Sequence, residues 1–310
     1  MKHLIFPLLA LLIFSCSVCA AVMTDIPLTA YEFEGIPRRD EPVSMGVNLP
    51  RGAIKSPAEL AIYDAKGSPV PSQFETMMTW PDGSIKWVLA DYFVSCKPNS
   101  KSLYYLKKKT GAQEENESSL KVSRPGSQSL TVETGVLRCT LHKEGFNLFD
   151  QVYLDHNQDR LFSDDELVSA PGSILSISVI DSKGRVLSSK WGRVESMIVE
   201  AEGPVRVTVA VKGILADADG RHGLDYTARL NFYANTGFTK VFFTLENHRP
   251  ALPLSDEDGD KHWLMGSGGS FFFEDLSLTS KLAFNGPIVL SVGDQDGDII
   301  DRITLTKNGG

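Results

Sequence analysis

In the stretch WPDGSIKWVLADYFVSC, Trp80 to Cys96, two tryptophans bracket an Asp, a Ser and a Lys, the side chains an active site would use. The spacing points to a fold element instead. In Trp80-Pro81-Asp82-Gly83, Pro fixes φ at the second position of a turn, Asp suits the third, and Gly accepts a positive φ at the fourth. Beyond the turn, Ile85, Trp87 and Leu89 fall on one face and Val88, Ala90, Tyr92 and Val94 on the other. A strand that is apolar on both faces is expected between two layers or within the wall of a small barrel. Asp82 is therefore read as a turn former, and the stretch as part of a hairpin.

The same two-residue period runs outward in both directions. It recurs in LAIYD, SLYYLKK, VLRCTLH, ILSISVID, VRVTVAVKGIL, YTARLNFYA, KVFFTLENH and LSLTSKLAF. Turn chemistry separates these runs, as in Ala65-Lys66-Gly67, Asp181-Ser182-Lys183-Gly184 and Asp219-Gly220. No window of a dozen residues carries a 3.6-residue stripe, so the expected class is all-β and antiparallel, a small barrel followed by a β-sandwich. The polar stretch TGAQEENESSLKVSRPGSQ, with no aromatic residue, divides the chain. It predicts a barrel over residues 22–110, a linker over 111–127 and a sandwich over 128–310.

Residues 1–20 read as a secretory signal: Lys2 near the start, an apolar run from Leu4 to Phe14, and small residues at Val18-Cys19-Ala20. That run is too short to span a bilayer, and no other stretch is apolar enough to do so. The expected location is secreted or periplasmic, with lipoprotein processing at Cys16 as the alternative. With 310 residues, the chain exceeds one compact core. Its 31 Lys and Arg against 39 Asp and Glu leave a net charge of −8 and no basic stripe, which argues against a nucleic-acid partner. Cys96 and Cys139 lie beyond the signal. An oxidising compartment would permit a bridge closing a loop of about 44 residues, worth roughly 4 kcal/mol. The alternative is two buried thiols, since Cys139 alternates with Leu137 and Leu141.

Several segments resemble one known family in order and spacing. They are Arg39-Asp40-Glu41-Pro42-Val43, Gly46-Val47, Leu49-Pro50, Val70-Pro71-Ser72-Gln73 and Trp80 to Trp87. Together they resemble the N-terminal RIFT-type barrel of the exo-acting rhamnogalacturonan lyases, the PcRGLX/YetA-like family. Gly203-Pro204-Val205-Arg206-Val207, Leu230-Asn231-Phe232-Tyr233-Ala234 and Gly269-Ser270 leading into Glu274-Asp275-Leu276-Ser277-Leu278 resemble its central β-sandwich. The likeness covers roughly residues 25–285. It implies a pectic polysaccharide as partner and a helical (α/α) toroid as the catalytic part. No such helical pattern occurs in this sequence, so no catalytic residue is assigned by the resemblance. The expectation is a non-catalytic front portion that works with a missing or separate helical catalytic domain.

Three groups of residues are candidates for binding. DHNQDRLFSDDE, Asp155 to Glu166, places side-chain oxygens at loop positions 1, 3 and 5 (Asp155, Asn157, Asp159). It adds the Leu161 carbonyl at 7, Ser163 at 9 and Glu166 at 12, the spacing that wraps six to eight oxygens around Ca²⁺. Arg160 occupies position 6, where Gly is usual, at a cost of roughly 1–2 kcal/mol. A solvated acidic turn is the alternative. Asp256, Asp258 and Asp260, and likewise Asp294, Asp296 and Asp298, repeat the 1-3-5 spacing without a Glu at 12. Arg38, Arg39 and Arg51 could grip a uronate carboxylate, or pair on the surface with Asp40 and Glu41. Trp263, beside Lys261 and His262, could offer a ring face to a sugar.

Catalysis finds little support in these residues. HExxH, GxSxG, a Gly-rich phosphate loop and a zinc-type cysteine set are all absent from the sequence. His142, His222, His248 and His262 are scattered. Two readings compete with the accessory role: a polysaccharide lyase or hydrolase active on its own, and a calcium-stabilised surface structural module.

Overall fold

The structure, a computed structural model, describes residues 23–109, 118–169 and 176–250, and beyond these 254–255, 261–262, 268–279, 283, 288–293 and 299–305. The chain divides into two units, Met1–Gln113 and Glu114–Gly310. Helix among the described residues is confined to two 3-10 turns, Pro57–Glu59 and Asp164–Glu166, in keeping with the all-β expectation.

The first unit contains β1 (Ile26–Tyr31), β2 (Arg38–Asn48), β3 (Leu60–Asp64), β4 (Pro69–Val70), β5 (Ser72–Thr79), β6 (Ile85–Cys96) and β7 (Lys101–Lys108). One antiparallel sheet runs β1-β7-β3-β4 and the other β2-β6-β5. Both feed one core that includes Leu28, Val47, Ile62, Val88, Tyr92 and Leu106. Each side chain of this kind, taken fully out of water, contributes about 1.5–3 kcal/mol.

The turn before β6 forms as its residues dictate. Gly83 N donates to Trp80 O at 2.9 Å with φ 79, and Trp80 N donates to Ser84 O at 2.7 Å. Asp82 accepts from Ser84 N at 3.0 Å and from Arg51 Nε at 3.1 Å, so it holds the turn. One expectation needs correcting: β6 is not apolar and buried on both faces alike. Val88, Ala90, Tyr92 and Val94 face the core, while Trp87 is 40% exposed and Leu89 half-buried. Ile85 joins the core face because β6 carries an extra residue where Met78 pairs with Trp87 and Thr79 with Ile85.

The second unit begins with β8 (Lys121–Gly126), β9 (Ser129–Glu133), β10 (Leu137–His142), β11 (Gln151–Leu154) and β12 (Leu167–Ser169), which form a sheet in the order β12-β11-β10-β9-β8. Part of the expected linker is thus an edge strand, since 121–126 pairs with β9, whereas 110–117 lie outside the described residues. There follow β13 (Ser176–Asp181), β14 (Val186–Ser188), β15 (Val194–Glu202), β16 (Arg206–Ala216), β17 (His222–Tyr233) and β18 (Thr239–Glu246). Then come β19 (Leu254–Ser255), β20 (Lys261–His262), β21 (Phe273–Thr279), β22 (Ile288–Gly293) and β23 (Ile299–Leu305). The larger sheet runs β18-β17-β16-β14-β13-β21, with β15 also on β16; β19 pairs β20, and β22 pairs β23.

Val132, Cys139 and Leu141 from the first of these sheets meet Val209, Val211, Leu230 and Phe232 from the second in one core, as a sandwich requires. Phe146 stacks on Tyr226 with ring centroids 5.8 Å apart. Cys96 and Cys139 are both free and buried, so of the two readings of the cysteines the buried thiols hold. Burial pushes the Cys139 thiol far up, which keeps it inert.

Candidate functional site

The acidic loop Asp155–Glu166 is the whole connection between β11 and β12, which pair antiparallel at the edge of their sheet. Its backbone is drawn around the first carboxylate. Asp155 accepts from Asp159 N at 3.2 Å and from Arg160 N at 2.9 Å, and Asp159 accepts from Leu161 N at 2.8 Å. Arg160 takes the left-handed conformation (φ 63) that Gly would supply, so the loop keeps the turn despite its side chain. Ser163 starts the 3-10 turn, and its N–H donates to Glu166 Oε2 at 3.1 Å. The result is convergence: Asp155, Asp159 and Glu166 bring ligand oxygens within 4.8 Å of one another. Asp155 and Glu166 are buried, while Asp159 is exposed. Asn157 sits on the same loop, donating to Asp159 Oδ2 at 3.2 Å. The Leu161 side chain is exposed.

On the barrel, Arg38 lines a cleft of about 460 Å³ together with Tyr31, Phe33, Glu34, Glu41 and Pro42. Tyr31 and Phe33 are 59% and 78% exposed, and their rings stack at 5.5 Å and 5°. Alternation at the end of β1 puts these two aromatics on one side and Glu32 between them on the other. Glu32 is buried and accepts N–H groups from Glu34 (2.9 Å), Gly35 (3.1 Å) and Asn99 (2.8 Å). Burial pushes its pKa up, but the backbone donors together outweigh burial and hold the carboxyl below the usual range. Arg38 stands 3.7 Å from Glu32 and 3.4 Å from Glu41.

Arg39 is exposed, and it falls within the register shift between Arg38 and Glu41 on β2. Arg51 pairs with Asp82 at 3.1 Å. Of the three arginines read as candidates for a uronate, Arg38 thus stands beside Glu32 and Glu41 and Arg51 beside Asp82. Trp263 and both remaining aspartate triplets lie outside the described residues, as do the signal segment and Cys16.

Two arrangements escaped sequence reasoning. Tyr31 and Phe33 were legible only as a Y-x-F pair at a strand end, with nothing in the pattern to mark them as exposed. His222 and His248 both reach Asp225, since the pairing of Asp225 with Glu246 brings the end of β18 beside β17. That meeting depends on strand register, which spacing along the chain does not carry.

The first unit matches the PcRGLX-like N-terminal RIFT barrel domain over residues 32–108, and the second matches the PcRGLX-like protein central beta sandwich domain over residues 121–269. An uncharacterised protein of Bacillus subtilis (strain 168), YetA, is 23% identical over 260 residues, covering 81% of this chain. The chain spans 28% of that relative's length. No helix among the described residues is long and apolar enough to cross a membrane. With both domain types present in their order, the chain belongs to the PcRGLX-like family.

Proposed function

We propose that this chain is the polysaccharide-holding portion of an exported protein related to the rhamnogalacturonan lyases. In this reading, the barrel and sandwich position a pectic chain for a helical catalytic domain. Membership of the family supports the substrate class. The observation that carries the binding role is the exposed Tyr31–Phe33 stack beside Arg38 in the barrel cleft.

The chemistry suits a uronate-bearing sugar. Aromatic faces accept the C–H side of a pyranose ring, and a guanidinium takes a carboxylate by two parallel hydrogen bonds. Arg38 would exchange Glu41 for the uronate, while Glu32 keeps its place on the loop backbone. A net charge of −8 repels a polyanion at long range, so binding depends on these short contacts.

Affinity electrophoresis in gels containing rhamnogalacturonan tests the proposal. The expected result is retardation of the native chain, lost in the Tyr31→Ala, Phe33→Ala double variant and weakened in Arg38→Ala. Unchanged mobility of the native chain overturns the binding role. Incubation with the same polymer is expected to release neither ultraviolet-absorbing unsaturated uronates nor new reducing ends. Release of either would move the chemistry into this chain.

A further inference from the structure

We propose that the β11–β12 loop is a structural calcium site, with Asp155, Asn157, Asp159, Ser163 and Glu166 as side-chain ligands and the Leu161 carbonyl completing the set. The claim stands apart from the polysaccharide reading and does not depend on it. Convergence of acidic groups alone would not carry it, because acidic turns are common. What carries it is Glu166. Its side chain has 0% exposure, yet Oε1 has no hydrogen-bond partner, and His156 Nδ1 stands 3.5 Å away outside hydrogen-bonding geometry. His156 is an exposed, distant counter-charge that gives Oε1 no hydrogen bond, and a buried carboxylate oxygen without one is strongly disfavoured unless a closer positive group completes it.

The geometry fits a cation of calcium's size. Bonds of about 2.3–2.6 Å allow two ligands of one ion to lie up to about 4.6–5.2 Å apart. The three carboxylates fall within 4.8 Å of one another. The ligands are all oxygen, and a loop of this spacing can offer six of them, which favours Ca²⁺ over the smaller, strictly octahedral Mg²⁺. Three carboxylates against two positive charges leave the loaded site anionic. It would therefore not bridge to a uronate, and its work is to close the β11–β12 hairpin at the sheet edge. That differs from a helix-flanked calcium loop, since here the ends are held by the Val152–Ser169 and Tyr153–Leu167 pairs.

The test uses the full chain stripped with EDTA. Calorimetric titration with CaCl₂ is expected to show a saturable site, and at about 100-fold excess over Kd the Tm is expected to rise by about 5–10 °C. An equal concentration of MgCl₂ is expected to do less. Glu166→Gln is expected to abolish the calcium-dependent rise while melting in EDTA no lower than the native chain, because the buried charge whose Oε1 lacks a hydrogen bond is gone. Asp159→Ala, at an exposed position, is expected to lose most of the rise without loss of fold. The proposal is overturned if saturating calcium leaves the native Tm unmoved. It is equally overturned if both variants keep the full rise, which would place any bound calcium elsewhere in the chain.

Discussion

Asp64, Asp181 and Asp217 each organise a hairpin tip in the same way. In every case one carboxylate oxygen accepts the N–H groups two and four residues ahead: Lys66 and Ser68, Lys183 and Arg185, Asp219 and Arg221. In the latter two the second oxygen accepts from the Arg at the fourth position, at 3.1 and 2.8 Å. The Asp217 carboxyl is held below the usual range chiefly by Arg221, with burial opposing and the backbone donors adding to it. The Asp181 carboxyl is raised by burial, but the N–H groups of Arg185 and Lys183 and the Arg185 side chain bring it down overall. A carboxyl whose folded value lies below its unfolded value stabilises the fold fully above the ordinary value of 3.8. That stabilisation is lost as pH falls through the lowered folded value. Asp217→Asn is therefore expected to lower Tm at pH 7, and the gap to the native chain should shrink towards about pH 2–3. A gap of the same size at both pH values would remove the charge from the account.

Strands, turns and their order were legible because each reports on its own residues: alternation marks a strand, and a Gly at a left-handed position marks a tip. What alternation alone misplaced was Ile85. It shares parity with Trp87 and Leu89, yet the extra residue in β6 turns it to the core while Leu89 stays half-buried. A bulge arises from pairing with a second strand, so one strand's pattern does not show it. For the same reason β8 read as linker, because an edge strand has one paired side and little need of apolar residues. The acidic loop was legible in its ligand spacing, whereas the bare oxygen of Glu166 depends on packing around the carboxyl. The arginines of the barrel were legible as charges, but the bulge in β2 on which Arg39 falls was not. Ile85→Thr and Leu89→Thr separate the two accounts of β6. Loss of buried apolar atoms and burial of an unpaired hydroxyl should cost about 2–3 kcal/mol at Ile85 and about 1 kcal/mol or less at Leu89, read from urea denaturation midpoints. Equal costs would mean that simple alternation describes β6 after all.

At the scale of the molecule, the two units answer the size of the chain, since among the described residues each core cluster is built from its own unit. Leu106 packs with Leu28, Ile62 and Tyr92, all from Met1–Gln113. Leu230 packs in a core built from Val132, Cys139, Val209 and Phe232, all from Glu114–Gly310. This separation has an energetic consequence. Leu106 and Leu230 are both fully buried, so replacing either by Ala removes similar apolar volume and leaves a cavity costing about 2–5 kcal/mol. With no packing partner in common, the two losses are expected to add within about 0.5 kcal/mol in the double variant, each measured on the unfolding of its own unit. Intrinsic fluorescence can follow Trp80 and Trp87 in the first unit when Trp191 and Trp263 are replaced by Phe, and Trp191 in the second when Trp80, Trp87 and Trp263 are replaced by Phe. A coupling above about 1 kcal/mol between Leu106→Ala and Leu230→Ala would show that the barrel and sandwich unfold as one cooperative body. Additive losses would mean instead that each domain of this chain secures its own fold, leaving the cleft of the barrel and the loop of the sandwich free to be altered separately.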